Sequence, residues 1–361
     1  NTKRKDRIMA YKNTDVLMAA VKQGPLANSF LRDRYFPKLE MAEFATEDVL
    51  VEYEENGQKC APFVVPYIGG IAVQREGYTS KRFTPANIEP KIPMTIDDLI
   101  KKGFGEAIYA NESPQVRADK LLSKDLLTLD EMTTRREEYM AAKVMLDHAL
   151  DMDFNTGDGK KPDKRRIQFY NGDSNPYTYT PETEWNQEGA TIIDDIFAMC
   201  ELASSNGVRI QDLIVSPAAM NAIRSNASVR ELLDNRKMNY GSIDPKALTN
   251  GANLLGILNA DGYVLNLISY NDKYKDDAKK LTPFIPDGYI IAAAPAGGQR
   301  VYGAVTQMED DNEYHTYVGD RVPKIVPDKA TDKRELKITS KPLLAPLKLG
   351  SFYSAKVVTV G

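Results

Sequence analysis

Between residues 46 and 98 the chain carries Pro62, Pro66, Pro85, Pro90 and Pro93, and Val49, Val51 and Tyr53 alternate with other residues. Proline removes a backbone donor and clashes with the preceding helical turn, so this stretch reads as extended rather than helical. Glu55-Asn56-Gly57 supplies a turn signal, because Asn-Gly tolerates the positive φ of a type I′ hairpin. The reading places the returning strand at Lys59 to Val65, a further apolar strand at Tyr67 to Val73, and then Arg75 to Phe83. A long hairpin with no helix behind it is only marginally stable alone in water. It must fold back on its own chain or lie on a neighbouring molecule, and the local sequence leaves both open.

The flanking segments look different. Residues 1–45 hold a short helix, Thr14 to Val21, followed by Phe30-Leu31-Arg32-Asp33-Arg34-Tyr35-Phe36-Pro37. This piece has no core of its own and reads as an arm laid on something else. Ser113-Pro114 caps the strongest helical block, residues 113–152. Thr128 and Glu131 form a T-x-x-E capping box that predicts a restart or kink. Leu129, Met132, Arg136, Tyr139, Lys143, Leu146 and Leu150 fall on one stripe at helical spacing. The portion from Thr128 to Met152 alone spans about 37 Å, long enough for a spine. Arg166 to Tyr170 and Tyr177 to Thr180 suggest a second hairpin.

Residues 189–305 alternate helices and strands. Ile192, Ile193, Ile196, Phe197, Cys200 and Ala203 make an amphipathic helix closed by Asn206-Gly207. Leu213 to Val215 is a buried strand, and Ser216-Pro217 opens the next helix. Leu254 to Leu258 and Tyr263 to Ile268 flank a tight Asp261-Gly262 turn. Asn271 to Lys280 is a charged tip, and Tyr289 to Ala294 is another buried strand. Beyond residue 306 come an acidic loop (Glu309, Asp310, Asp311, Glu313) and strands at Arg321 to Val326, Glu335 to Thr339 and Ser354 to Val360. The class is α+β.

Composition narrows the function. In 361 residues there are two His and two Cys, so neither a His/Cys zinc cage nor a disulfide framework fits. A formal charge of −4 argues against nucleic-acid binding as the main activity. Cys60 and Cys200 read as reduced, buried small hydrophobes. The basic start has no apolar stretch behind it, and no run is long enough to span a bilayer, so the expected setting is a reducing cytoplasm with no membrane partner. Gly157-Asp158-Gly159-Lys160 lacks a P-loop's first glycine and has Lys161 where Ser or Thr belongs. Gly103-Phe104-Gly105 lacks the third glycine of a dinucleotide fingerprint. Asp151, Asp153 and Asn155 open like a calcium loop, but Pro162 stands where the closing Glu is required. His148 is expected on the polar side of the long helix, and His315 lies between Tyr314 and Thr316. Neither has a nucleophile nearby, so no catalytic residue, metal ligand or cofactor is nominated.

Positive signals come from segments spread along the chain. Phe30-Leu31-Arg32 with Tyr35-Phe36, Phe83-Thr84-Pro85, Ile88, Pro90-Lys91 and Glu137-Glu138 are the first of them. Asp194-Asp195, Phe284-Ile285-Pro286-Asp287, Arg300-Val301-Tyr302-Gly303, Ser340 and Pro342-Leu343-Leu344 follow in the same order as in a known family. The chain resembles the major capsid protein E family of lambda-type tailed phages. That resemblance implies a Hong Kong 97-type coat fold: an N-terminal arm (1–45), an extended E-loop (46–98), a P-domain (99–188 and 306–361) bearing the spine helix 113–152, and an A-domain (189–305). It implies a structural role with no enzymatic activity. Copies would assemble as hexamers and pentamers into an icosahedral head around double-stranded DNA, built in the host cytoplasm. Portal, scaffold and decoration proteins are the further partners implied.

Under this reading Thr79, Lys81, Arg82, Phe83, Pro85, Ile88, Pro90 and Lys91 of the hairpin meet a neighbouring subunit, as do Phe30, Leu31, Tyr35 and Phe36 of the arm. Val64 and Val73 would be desolvated on assembly with them. Two rivals are an encapsulating bacterial shell of the same fold and a metal-assisted hydrolase built on carboxylates such as Asp151 and Asp153.

Overall fold

The computed structural model describes residues 14–23, 29–44, 49–54, 78–100, 113–154, 163–227, 229–230, 241–249, 251–276, 279–309, 312–328 and 333–359. The expected Asn56-Gly57 turn, the strands at 59–65 and 67–73, and Cys60 lie outside these residues.

One helix, Pro114–Asp147, runs unbroken for 34 residues, about 51 Å at the standard rise. The Ser113 hydroxyl accepts from the Val116 amide at its start. No restart occurs at Thr128, whose hydroxyl donates to the Lys124 carbonyl 2.9 Å away, inside the helix. The helix ends at His148, which turns the chain back with a φ of 47°. The expected extension to Met152 is instead a strand, Ala149–Phe154, paired antiparallel with Asp163–Gln168. The buried face is also offset from the expected stripe. It follows Ala118, Leu122, Leu126, Leu129, Thr133, Glu137, Ala141 and Val144, while Met132 and Arg136 are exposed. Two polar members, Thr133 and Glu137, hide this stripe from a count of apolar residues.

Behind the spine lies a seven-stranded mixed sheet ordered Thr178–Tyr179, Phe352–Lys356, Tyr289–Ala293, Asp212–Val215, Tyr263–Tyr270, Ala252–Ala260, Gly241–Thr249. Its centre is Asp212–Val215, four fully buried residues. Tyr263–Tyr270 and Ala252–Ala260 turn around Asp261 (φ 45°) and Gly262 (φ 104°), the left-handed pair a type I′ turn demands. Helices Ile192–Ser205 and Pro217–Ser225 contribute to one hydrophobic cluster against the sheet, with Ile196, Met199, Leu213, Leu265 and Tyr353. A second cluster joins the C-terminal half of the spine to the sheet's other face through Met145, Ile214, Ile268, Ile291 and Phe352.

Two boundaries shift. Tyr177 to Thr180 does not pair with 166–170; Thr178–Tyr179 lies parallel to Phe352–Lys356, so the large sheet draws strands from outside 189–305. Conversely, Gly298–Tyr302 leaves that region to sit between Lys38–Glu43 and Pro342–Pro346 in a three-stranded sheet. Another three-stranded sheet joins Lys91–Met94, Lys333–Thr339 and Val322–Asp328. The hairpin stem pairs Val49–Glu54 with Tyr78–Phe83, in register from Val49 opposite Phe83 to Glu54 opposite Tyr78. The described partner of Val49–Glu54 is thus Tyr78–Phe83, a pairing that closes over a long stretch of chain.

Candidate subunit-contact site

The arm is anchored on its own chain. Ser29 opens a short helix, Phe30–Tyr35, whose first amides point at the spine. One Glu138 carboxylate oxygen accepts from the amides of Phe30 (3.1 Å) and Leu31 (2.8 Å) and from the Tyr270 hydroxyl (2.7 Å). The other oxygen accepts from the Arg32 amide at 2.8 Å. Burial pushes the Glu138 carboxyl above its ordinary range despite these donors.

Glu137 sits beside it on the buried face. The Arg321 guanidinium donates to both its oxygens (2.7 and 3.1 Å), Arg32 Nη1 to one (2.9 Å) and the Tyr302 hydroxyl to the other (3.2 Å). Burial alone would push this carboxyl up, yet Arg321 and Arg32 hold it below its usual value. Thr134 accepts from both guanidiniums at 3.1 Å, and Arg321 Nε reaches Asp130 at 2.7 Å. Every charge here has a counter-charge and directed hydrogen bonds, as a buried ion cluster requires. Across the helix, Arg34 Nε (2.6 Å) and Nη2 (2.9 Å) and the Tyr35 hydroxyl (2.8 Å) close on Asp212, which also accepts from Asn266. Five arm residues, Phe30, Leu31, Arg32, Arg34 and Tyr35, thus lock the spine to the head of the central strand.

Segments that lie hundreds of residues apart meet at this point. Phe30 to Arg32, Glu137-Glu138, Arg300 to Tyr302 and Ser340 surround one polar cluster, with Arg300 held to Asp33 at 3.2 Å. Sequence reasoning singled out these pieces separately and did not foresee their convergence. It named Arg321 only as the start of a strand and missed Asp212 altogether. Both are charged residues flanking apolar strands, and no local pattern marks them.

The arm residues expected at a neighbour are buried within their own subunit. Phe30, Leu31, Tyr35 and Phe36 are 0–5% exposed and belong to the subunit's own core. Phe36 meets Phe352 with centroids 5.3 Å apart, and Phe30 stacks on Tyr270 at 5.7 Å. A side chain already enclosed offers no area to another subunit.

The hairpin divides. Val49 is fully buried, and Phe83 packs edge-on against Phe169 of its own subunit at 5.3 Å. Pro85 is buried, while Ile88 and Pro90 are half-buried. Ile88 exchanges backbone hydrogen bonds with Ser340 (2.8 and 2.9 Å). Lys91 pairs with Glu335 of its own chain at 3.0 Å. Arg82 is exposed. Lys81 and Thr79 lie on the stem strand two and four pairs beyond the Val49–Phe83 root, opposite Val51 and Tyr53. The root therefore packs on its own subunit.

Among the described residues no group of three or more His, Cys, Asp or Glu is placed to hold a metal ion. Asp151 pairs with Arg166 at 3.2 Å on an exposed hairpin. His315 is half-buried on the strand Tyr314–Tyr317. His148 is fully buried rather than on a polar face, because the helix ends there and the chain folds over it. No helix among the described residues is long and apolar enough to cross a membrane.

Comparison with known proteins adds an independent line. The family described as phage major capsid protein E matches residues 13–357. The major capsid protein of Escherichia phage lambda is 24% identical over 313 residues, 84% of this chain and 87% of that protein. The major capsid protein of Escherichia phage N15 is 24% identical over 326 residues, covering 87% and 90%. A solved prophage protein of Escherichia coli CFT073, assigned to the capsid, superposes with a TM-score of 0.66 at 16% identity, covering 96% of this chain and 99% of that one.

Proposed function

The chain belongs to the phage major capsid protein E family, and from that premise we propose how its copies build a shell. It is a major capsid protein, a structural component of the bacteriophage head, with a Hong Kong 97-type α+β fold. The observation that carries this is the family match over nearly the whole chain, from residue 13 to residue 357.

Copies associate as hexamers and pentamers through heterologous contacts that close around rotation axes. The distal stem of the hairpin lies on the adjacent subunit. Its support is the stem's isolation: among the described residues Val49–Glu54 and Tyr78–Phe83 pair only with each other, leaving both outer edges open. Open edges suit strand addition or close backbone contact with a neighbour. Thr79, Lys81 and Arg82 are the contact residues of this reading; Phe83, Pro85, Ile88, Pro90 and Lys91 set the direction in which the stem leaves its own subunit. The arm (1–45), the P-domain carrying the spine and the A-domain around the large sheet complete the subunit.

The shell assembles in the host cytoplasm, encloses double-stranded DNA without reading its sequence, and joins a portal; scaffold and decoration proteins are its further partners. It performs no catalysis. A charge of −4 fits this role, since a shell contains DNA without needing a basic groove to grip it. Electron microscopy of the purified protein tests the proposal. Closed shells with local sixfold and fivefold clusters are expected. A monodisperse monomer under every salt and crowding condition would overturn it.

A further inference from the structure

His148 occupies the joint between the spine helix and the edge of the seven-stranded sheet. Its amide closes the last helical turn on the Val144 carbonyl, and its carbonyl accepts from the Phe169 amide, both at 3.0 Å. Its ring stacks on Tyr177 with centroids 4.6 Å apart and tilts against Phe352 at 6.3 Å. Beside it the Ser354 hydroxyl donates to the Leu146 carbonyl at 2.7 Å, and the Ser354 amide donates to the Tyr177 carbonyl at 3.2 Å. The ring is 0% exposed, and neither ring nitrogen has a hydrogen-bond partner among the described residues. A buried polar group left unpaired is rare and costs stability, so its presence at a mechanical joint calls for a reason.

We propose that His148 is an acid-sensitive latch: its neutral ring closes the joint between the spine helix and the sheet edge, and protonation opens it.

The surroundings leave the charged ring no partner. On the spine, Asp147 and Lys143 pair with each other at 3.6 Å, and both side chains reach solvent. On the following hairpin, Asp151 and Arg166 likewise face solvent. Tyr170 is buried there. From the turn-rich segment Tyr177 faces the ring, and from the sheet edge Tyr353 packs behind Tyr177 at 5.7 Å, while Lys356 is exposed. Burial is the cause that lowers the His148 pKa from 6.5 to about 3, with no carboxylate to oppose it. A proton taken from solvent onto the free ring nitrogen therefore binds the open joint more tightly than the closed one. Below pH 6.5 the open form gains protons and the closed form does not, so closure weakens as pH falls from there towards 3. Between pH 7 and pH 5 the open-to-closed ratio rises roughly 25-fold, if the exposed ring keeps its ordinary pKa.

Two measurements on the full chain test this. With only two histidines, isotope labelling of the imidazoles resolves His148 from His315 by NMR. The His148 ring of the folded soluble subunit should stay neutral down to pH 5; titration near 6.5 with the fold intact overturns the proposal. Hydrogen exchange should show protection at 146–150, 167–170 and 352–356 falling by about 25-fold between pH 7 and pH 5, after correction for intrinsic rates. In His148→Phe, which keeps the stacked ring without a titrating group, the pH dependence should vanish. The same pH dependence in both proteins would overturn the latch. Should His148→Phe be destabilised by its left-handed backbone, His148→Asn, which tolerates that backbone, serves for the same comparison.

Discussion

At the scale of single residues, Glu137 is where the molecule is most exposed to damage. A buried carboxylate is tolerable only while its counter-charges stay in place. Arg321→Met keeps much of the side-chain volume but leaves Glu137 with Arg32 and the Tyr302 hydroxyl alone. A loss of about 3–5 kcal/mol is expected, read as a lower urea midpoint with an unchanged slope. Adding Glu137→Gln to Arg321→Met should lose less than the two single changes summed, because the orphaned charge is then gone. Strict additivity would show that the two groups are not coupled. The pH behaviour has a definite sign. The carboxyl is held below its ordinary 4.5, so the pairing stabilises the fold fully above that value and is lost as pH falls through the depressed one. In Arg321→Met this acid limb should move to higher pH, which the midpoint of acid unfolding reports.

At the scale of elements, the hairpin shows what one strand does for two masters. Its root is held by the subunit, and the proposed place of its distal stem is on a neighbour, so substitutions separate by position. Phe83→Asp places a charge against Phe169, and a loss of about 2–4 kcal/mol in subunit stability is expected together with fewer shells. Arg82→Glu, one residue away and exposed, should leave stability within about 0.5 kcal/mol yet slow assembly and alter its salt dependence. Calorimetry on the soluble subunit and light scattering during assembly give the two readings. A fully stable Phe83→Asp that still fails to assemble would return Phe83 to the contact surface. Elements whose signal is local were legible in the sequence. Asp261-Gly262, Leu213 to Val215 and the helix from Ile192 follow from turn chemistry and apolar spacing. The spine was legible in kind but not in its buried face, since Thr133, bonded back to the Leu129 carbonyl, and Glu137, held by Arg32 and Arg321, break the apolar pattern. The pairing of Val49–Glu54 with Tyr78–Phe83 closes over more than twenty residues, and no local signal marks a partner that far along the chain. The arm was legible as a segment, while its anchoring on its own chain depends on Glu138, more than a hundred residues away.

At the scale of the whole molecule, the arm decides whether the subunit is a finished object before it meets a neighbour. An arm laid on another subunit could be removed at no cost to the monomer. Here it supplies Phe30, Leu31, Tyr35 and Phe36 to the main core, and the fit is tight: a Cβ added at Gly298 would collide with the Phe36 ring. Its amides also satisfy the buried Glu138, and Arg34 and Tyr35 satisfy Asp212 at the head of the central strand. Removing residues 1–36 therefore opens a cavity and strands two buried carboxylates at once, each a mechanism of severe destabilisation. Such a chain should lose cooperative thermal unfolding and its near-ultraviolet circular dichroism, even in dilute solution where no shell can form. Removing only residues 1–23 takes away a peripheral helix, Thr14–Gln23, and should lower the melting temperature while leaving a cooperative transition. The contrast between the two truncations is the informative quantity. A chain lacking residues 1–36 that melts cooperatively near the full-length temperature would mean the arm is dispensable to the monomer, and its place would then be on a neighbour after all.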